Sequence, residues 1–405
     1  EGWGRGQPDG RSNPHRADAL HEPALCLRLT GVKVLAVNWR CIRNPLAGGA
    51  EIHFQEIFRR LAARGHEVTQ LAERYPGSAE EETLDGIRVR RLGGAQTFNF
   101  TIARNLKRLV GETGCDVVVD DLNKIPFYSP RLTDRPVLAM LMHLFRGSIF
   151  RETLFPLAAY VWLAETAIPL AYRRCRFTVL SESSKRDAVR LGIRPERIAV
   201  VPPGTDFERF HPGPARPDTA RPVLLHVGRL KKYKATDHLL RAARRLRDRG
   251  RDCDVVIVGS GDDRPRLEKL TDRLGLRDRV RFTGFIGEDE KVNWYRRAAV
   301  LVENSAKEGW GLIVMEANAC GTPTVVADSP GLIDSSREGV NGLFYRYGDI
   351  ADLADKLDRL LADAPLRARL GRQAVDWARR WTWDAAAEAT GQALEEAIRE
   401  HRKKR

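Results

Sequence analysis

The sequence predicts an α/β protein built from two doubly wound parallel sheets that face one another. Three observations carry that expectation. Short apolar runs of strand length alternate with amphipathic helical stretches through most of the chain. The alternation halts at a proline-rich segment near the middle and then begins again. Finally, 405 residues exceed one ordinary core, whereas they suit two domains of roughly 170–200 residues.

The elements follow in order. Val32–Asn38 is the first apolar run, and a loop ending in Gly48-Gly49 leads to a helix from about Ala50 to Arg64, which Gly65 stops. Glu67–Ala72 resumes strand character, and further strands fall at Val117–Asp120, Val137–Met142, Phe177–Leu180 and Ile198–Val201. Strands this apolar, with helical segments between most of them, indicate a parallel sheet covered on both faces. Thr205–Ala220, with Pro212, Pro214 and Pro217, reads as an interdomain linker. Beyond it come a strand at Val223–Val227, a helix at Ala235–Arg249, a strand at Asp254–Val258 and a helix at Arg264–Leu274. A strand at Val280–Thr283 and a helix at Asp289–Arg297 follow. Next stand a glycine loop, a helix of about three turns and the strand Thr324–Ala327. Asp349–Ala362, Leu366–Arg380 and Asp384–Glu400 finish the chain as helices. The divisions are residues 1–30 as a disordered extension, 31–205 as the first domain, 206–220 as the linker, 221–383 as the second domain and 384–405 as a terminal helix.

Hydrophobic content of 42% and charged content of 30% describe a soluble globular protein. The net charge of +14 favours anionic partners. Its arginines are scattered and interleaved with acids, unlike the basic stripe with stacking aromatics of a nucleic-acid reader, so no nucleic acid is expected. Cys26, Cys41, Cys115, Cys175, Cys253 and Cys320 lie far apart without paired spacing. No disulfide framework or zinc site is implied, and a reducing cytoplasm fits. Residues 1–30 lack an apolar signal core. Leu154–Ala164 is strongly apolar but too short for the ~20 residues of a membrane span. It reads either as a helix packed in the first domain or as a surface that meets a bilayer at the inner membrane face.

Chemistry concentrates in Glu308-Gly309-Trp310-Gly311-Leu312-Ile313-Val314-Met315-Glu316. A helix start behind a glycine loop presents free N–H groups and partial positive charge to an anion. Carboxylates repel phosphate and suit hydroxyl groups. Glu308 and Glu316 on either side of a phosphate cradle therefore suggest a ligand of the form sugar, diphosphate, ribose. Other groups converge by their position after strands. Arg229 and Lys234 follow Val223–Val227 and could neutralise a diphosphate without a metal. Gly48-Gly49 occupies the corresponding turn of the first domain, and His143 comes directly after Val137–Met142. In paired doubly wound sheets such strand ends line the ligand crevice.

With these residues on the page, the chain resembles the retaining glycosyltransferases of family 4, glycosyl transferases group 1, which have two Rossmann-like domains in the GT-B arrangement. The resemblance rests on Gly48-Gly49-Ala50-Glu51, His143, Pro203-Gly204-Thr205-Asp206 with Phe210, Gly228-Arg229-Leu230 with Lys234, Gly259-Ser260-Gly261, and above all the block Glu308–Pro323. It spans about residues 31 to 395. By that similarity His143, Arg229, Lys234 and Glu308 are catalytic: Arg229 and Lys234 hold the diphosphate, Glu308 contacts the donor sugar and His143 lies beside it. Gly48, Gly49, Gly309, Trp310, Gly311 and Leu312 line the donor site, Glu316 meets the ribose, and Phe285-Ile286 seats the base. The resemblance also implies a C-terminal helix that returns to the N-terminal domain. Two departures stand out: Ala235 replaces a common glycine, and Asp120-Asp121-Leu122-Asn123 replaces a histidine-rich strand end, which bears on the acceptor.

The implied activity is transfer of a hexose, with retention, from a UDP- or GDP-linked donor to a glycan, glycolipid or small-molecule hydroxyl, without cofactor or metal. It belongs to polysaccharide or glycolipid biosynthesis. The acceptor is a glycan or lipid-linked molecule of unspecified identity, and a peripheral membrane contact stays open with it. Two other readings are a nucleotide-sugar epimerase or phosphorylase on the same architecture and a basic peripheral membrane or nucleic-acid binder. Product analysis and salt-dependent binding, respectively, separate these from the transferase.

Overall fold

The structure, a computed structural model, describes residues 31–123, 125–151, 153–213 and 221–403. The extension expected over residues 1–30, the part of the linker from 214 to 220 and Cys26 lie outside the described residues.

The first sheet is built from β1 (Lys33–Val37), α1 (Gly49–Ala63), β2 (Glu67–Arg74), β3 (Glu81–Leu84), β4 (Ile87–Gly94), α2 (Phe98–Thr113), β5 (Val117–Leu122), β6 (Val137–Leu141), α3 (Phe155–Thr166), α4 (Ile168–Ala171), β7 (Arg176–Val179), α5 (Glu182–Leu191) and β8 (Ile198–Val200). Its strand order is β3-β4-β2-β1-β5-β6-β7-β8. Only β3 runs antiparallel, to β4. That hairpin departs from the sequence expectation, because its strands carry Glu81, Glu82, Arg88, Arg90 and Arg91 and show no apolar run. Its signal was the turn Asp85-Gly86, where both residues have positive φ (48° and 82°) as a two-residue hairpin turn demands. A charged edge strand also discourages pairing with other chains.

The second sheet comprises β9 (Val223–Val227), α6 (Thr236–Asp248), β10 (Asp254–Val258), α7 (Arg264–Arg273), β11 (Val280–Gly284), α8 (Glu288–Arg297), β12 (Val300–Glu303), α9 (Leu312–Ala319), β13 (Thr324–Ala327), α10 (Leu332–Ser335) and β14 (Gly342–Tyr345), followed by α11 (Ile350–Ala362), α12 (Ala364–Ala378) and α13 (Trp383–Arg402). Its order is β11-β10-β9-β12-β13-β14, parallel throughout. Strands β12 and β14 were not anticipated. Only Ala298-Ala299 separates β12 from α8, so no turn residue announces it. Helix α9 is eight residues long, shorter than the three turns expected.

Each sheet has one point where strand order reverses: between β1 and β5, and between β9 and β12. Ligands of open α/β sheets bind beyond the strand ends at such points. One core fills the second sheet's layers, and two cover the faces of the first. Helix α13 joins the first sheet, burying Trp383, Ala387, Leu394 and Ile398 in one of its cores. Arg64–Glu388 (3.1 Å) and Arg176–Glu396 (2.8 Å) ion pairs flank it. The chain passes between the sheets at two adjacent places. There Thr205 N donates to Trp381 O at 3.0 Å, and a Cβ on Gly204 would lie 2.0 Å from Trp383 N, so only glycine fits. Leu180 and Leu312 pack against cores of both sheets. No helix among the described residues is long and apolar enough to cross a membrane.

Candidate active site between the two sheets

Strand β9 ends at Val227, and Gly228 (φ 149°) turns the chain so that Arg229 stands exposed at the strand's carboxyl end. Beneath this loop lies Gly259-Ser260-Gly261. Cβ atoms on Gly259 and Gly261 would lie 1.9 Å from Gly228 O and 2.1 Å from Leu230 O, so two glycines let the loops after β9 and β10 stack. A short 3-10 turn over Lys232–Lys234 then aims Lys234 at the end of neighbouring β12. Lys234 Nζ lies 2.7 Å from Glu308 Oε1 and 3.9 Å from Glu303 Oε1. Burial opposes its charge, but Glu303 and Glu308 outweigh burial and hold its pKa above the ordinary lysine value. Burial likewise opposes ionisation of Glu308, yet the Lys234 charge and hydrogen bond keep its carboxyl below the usual range. The pair is therefore ionised at neutral pH.

Glu308 is tied down by its backbone, with its N–H donating to Pro330 O at 2.9 Å. The next residues approach the first sheet: a Cβ on Gly309 would lie 2.9 Å from both Met142 O and Leu180 Cδ1. His143 follows Met142, half-buried, with its ring 4.6 Å from Phe145. Burial lowers its pKa to about 4, so the imidazole is neutral at pH 7. Gly311 (φ 112°) precedes α9, whose start carries no side-chain cap. The amino end of the helix is thus open to an anion. One turn on, Glu316 accepts a hydrogen bond from Tyr295 Oη at 2.7 Å and pairs with Lys291 at 3.2 Å.

The Gly48-Gly49 turn closes the space from the other side. Gly48 N–H donates to Glu51 Oε2 at 2.7 Å, which fixes the start of α1. Cβ atoms on Gly48 and Gly49 would lie 2.1 Å from Arg229 Nη2 and 3.2 Å from Leu312 Cδ1. Residues from both sheets are thus brought to one cleft: Gly48, Gly49 and His143 from the first, Arg229, Lys234, Glu308, Gly309, Gly311, Leu312 and Glu316 from the second. Phe285 projects from the loop after β11 and is 87% exposed, while Ile286 packs on the core. Trp310 requires a correction. Its side chain is buried, 5.0 Å from Trp381, so it supports the loop from beneath and does not line the cleft. Asp120 and Asp121 are also fully buried. Asp120 accepts from Tyr172 Oη (2.6 Å) and Asp121 from Asn38 Nδ2 (2.6 Å). Burial pushes both carboxyls up, so they brace the end of β5 and offer no surface to an acceptor.

With this geometry in view, comparison with known proteins identifies the family. Residues 47–209 match the model for Glycosyltransferase Family 4 and residues 208–377 that for Glycosyl transferases group 1, so the two matches cover most of the first sheet and all of the second and meet where the chain crosses between them. The chain belongs to glycosyltransferase family 4. Among curated relatives, a D-inositol 3-phosphate glycosyltransferase of Streptomyces bingchenggensis (strain BCW-1) is 41% identical over 250 residues, covering 57% of this chain and 54% of the relative. One from Frankia alni is 39% identical over 220 residues, covering 50% and 54%. The chain spans about half the length of these relatives. Among solved structures, sucrose-phosphate synthase from Thermosynechococcus elongatus superposes with a TM-score of 0.77 at 22% identity, covering 90% of this chain and 98% of the other. Anabaena HepE in complex with UDP and glucose gives 0.70 at 18% identity, covering 90% and 100%. At these identities the likeness establishes the GT-B fold.

Several residues of this family 4 chain at the cleft escaped sequence reasoning. Glu303 ends the unrecognised strand β12 and accepts from Ser305 N at 3.1 Å. Lys291 and Tyr295 sit one helical turn apart on α8, and their shared target is visible only in three dimensions. Lys307, next to Glu308, reaches across the cleft to Asp187 of α5 at 2.5 Å. Ser183 N likewise donates across it to Asp334 at 3.2 Å.

Proposed function

We propose that the protein is a retaining glycosyltransferase that moves a hexose from a UDP- or GDP-linked donor to an acceptor hydroxyl without a metal. The observation that carries the reading is the clustering of Arg229, Lys234 and the uncapped start of α9, with Glu308 on one side and Glu316 on the other, where β9 and β12 diverge. Two cations and a helix terminus suit a diphosphate, and fixed carboxylates suit the hydroxyl groups of a sugar and a ribose.

In this reading the barrier falls because negative charge growing on the departing diphosphate meets preorganised positive charge. One donor of this kind contributes roughly 3–4 kcal/mol. The donor's sugar hydroxyls engage Glu308 while its phosphates engage Lys234, so the ligand exchanges an internal ion pair for contacts at both ends. Attack from the leaving-group side lets the diphosphate oxygen take the acceptor's proton, and a neutral His143 is suited to contact sugar hydroxyls. Lys291 and Tyr295 hold Glu316 in place for the ribose. Closure of the sheets across Lys307–Asp187 shields the reaction from water. Cys41, Cys115, Cys253 and Cys320 are free and buried, in keeping with a reducing compartment.

The test is release of nucleoside diphosphate from UDP-glucose and GDP-mannose, with the anomeric configuration of the product read by NMR. Lys234→Ala should lower kcat by roughly 100- to 1000-fold, and Glu316→Ala should mainly raise the donor KM. Activity should persist in EDTA. Complete loss in EDTA restored by Mg²⁺, an inverted product, or an unimpaired Lys234→Ala enzyme would overturn the reading.

A further inference from the structure

Thirteen large apolar side chains are substantially exposed among the described residues, and seven of them fall between residues 150 and 170. The most prominent are Leu154 (81% exposed), Phe155 (73%), Leu170 (65%) and Leu163 (60%). They belong to α3 and its flanks. The helix has little hold on the main core of its domain. Its inner face is Ala158, Val161, Ala164 and Glu165, and its apolar contacts form a separate small cluster around Ile149, Ala158 and Val161. A helix apolar on nearly every side yet exposed to water lacks a solvent for its outer face.

Charge identifies that solvent. From 150 to 174 the sequence holds two acids, Glu152 and Glu165. Glu152 lies outside the described residues, and the Glu165 carboxylate is turned inward to accept the N–H groups of Phe145 (2.6 Å) and Arg146 (2.7 Å). Among the described residues from 153 to 174 the outward surface therefore carries no negative group, while Arg173 and Arg174 are exposed just beyond Leu170 and Arg146 lies over the Trp162 ring at 5.5 Å. Apolar side chains bordered by arginine, on a helix whose one acid is turned inward, match an anionic lipid interface. Twelve residues span about 18 Å, well short of the ~30 Å hydrocarbon layer, so the helix would lie in the interface plane.

We propose that α3 and its flanks form a docking surface for an anionic bilayer, with the helix lying along the headgroup boundary. Glu165 links this surface to the cleft, because the N–H groups it holds belong to the loop that begins at His143. Docking thus places the His143 side of the cleft at the membrane, where an acceptor would arrive as a lipid-linked molecule. This last point rests on the proposed transferase activity, whereas docking itself does not.

Co-sedimentation of the full chain with vesicles tests the surface. Binding is expected to phosphatidylcholine vesicles containing about one third phosphatidylglycerol, and much less to phosphatidylcholine alone. Phe155→Glu with Leu163→Glu should weaken it at least ~tenfold, and Arg173→Gln with Arg174→Gln should reduce its salt dependence. Calorimetry with UDP and GDP on the same variants provides an independent check. Unchanged nucleotide affinity shows that the variants are folded and separates this question from the donor site. No vesicle binding by the parent chain, or equal binding by Phe155→Glu/Leu163→Glu, overturns the proposal. So does a concentration-dependent dimer dispersed by those substitutions, which would assign the surface to a second copy of the chain.

Discussion

Lys234 lies between two carboxylates that differ in what they can reach. Glu308 is partly open to the cleft, whereas the Glu303 side chain is fully buried and acts only through its field. In the proposed reaction Glu303 would therefore subtract from the positive potential that a diphosphate meets. Glu303→Gln keeps the shape and the acceptor for Ser305 N while removing one negative charge. At an effective dielectric near 20 over about 6–8 Å, removing one charge corresponds to about 2–3 kcal/mol, or roughly 30- to 100-fold tighter binding of UDP or GDP by calorimetry. Unchanged or weaker binding would show that Glu303 does not set the potential at Lys234. Arg229, Lys234, Glu308 and Glu316 were legible as candidates because glycines and strand ends marked them. Glu303 was not, since a buried glutamate ending a strand looks like any charged residue after an apolar run. Trp310 misled for the opposite reason: sequence adjacency to two cleft glycines does not fix which way an indole points.

At the scale of elements, the loop that presents Lys234 ends in a strained residue. Ala235 enters α6 with φ 46° and ψ 39°, a left-handed conformation that costs a residue with a Cβ about 1 kcal/mol or more. Glycine removes this strain but adds freedom to the unfolded chain, an offset of about 0.4–1 kcal/mol. Ala235→Gly should therefore be neutral to slightly stabilising, by less than about 1 kcal/mol in denaturant titration, with nucleoside diphosphate affinity unchanged. A clear loss of stability would show that packing of the buried Ala235 methyl outweighs the strain. Most strands and helices could be read from periodicity, to within a residue or two at their ends. The β3–β4 hairpin, β12 and β14 could not. Charged edge strands carry no apolar alternation, and a strand that follows a helix after two alanines has no boundary residue.

Over the whole molecule, α13 straps the second half of the chain to the first sheet, and its first turn is the critical contact. Trp383 meets the His53 ring of α1 edge-on at 6.0 Å. Both His53 nitrogens are buried without a hydrogen-bond partner. Burial lowers the pKa of this imidazole to about 4, against 6.5 in the unfolded chain. Above pH 6.5 both states are neutral and the group makes no pH-dependent difference. As pH falls from 6.5 to 4 the unfolded chain takes up a proton that the folded one refuses, so stability is lost, by up to about 3 kcal/mol. His53→Leu should shrink the fall in thermal midpoint between pH 7.5 and pH 4.5. An equal fall in the variant would assign acid sensitivity to other groups, such as His143 and the buried His226.

The sequence by itself determined the two alternating α/β halves, the glycine turns and the charged residues placed after strands. These are local consequences of periodicity and of the few residues that tolerate tight turns. Only the tertiary structure decided that Gly48 lies against Arg229, that Gly309 lies beside the end of β6, that Glu303 underlies Lys234 and that α3 keeps its apolar side in the open. Those relations join residues far apart in the chain. They depend on sheet order and on the approach of two domains, which no window of neighbouring residues records.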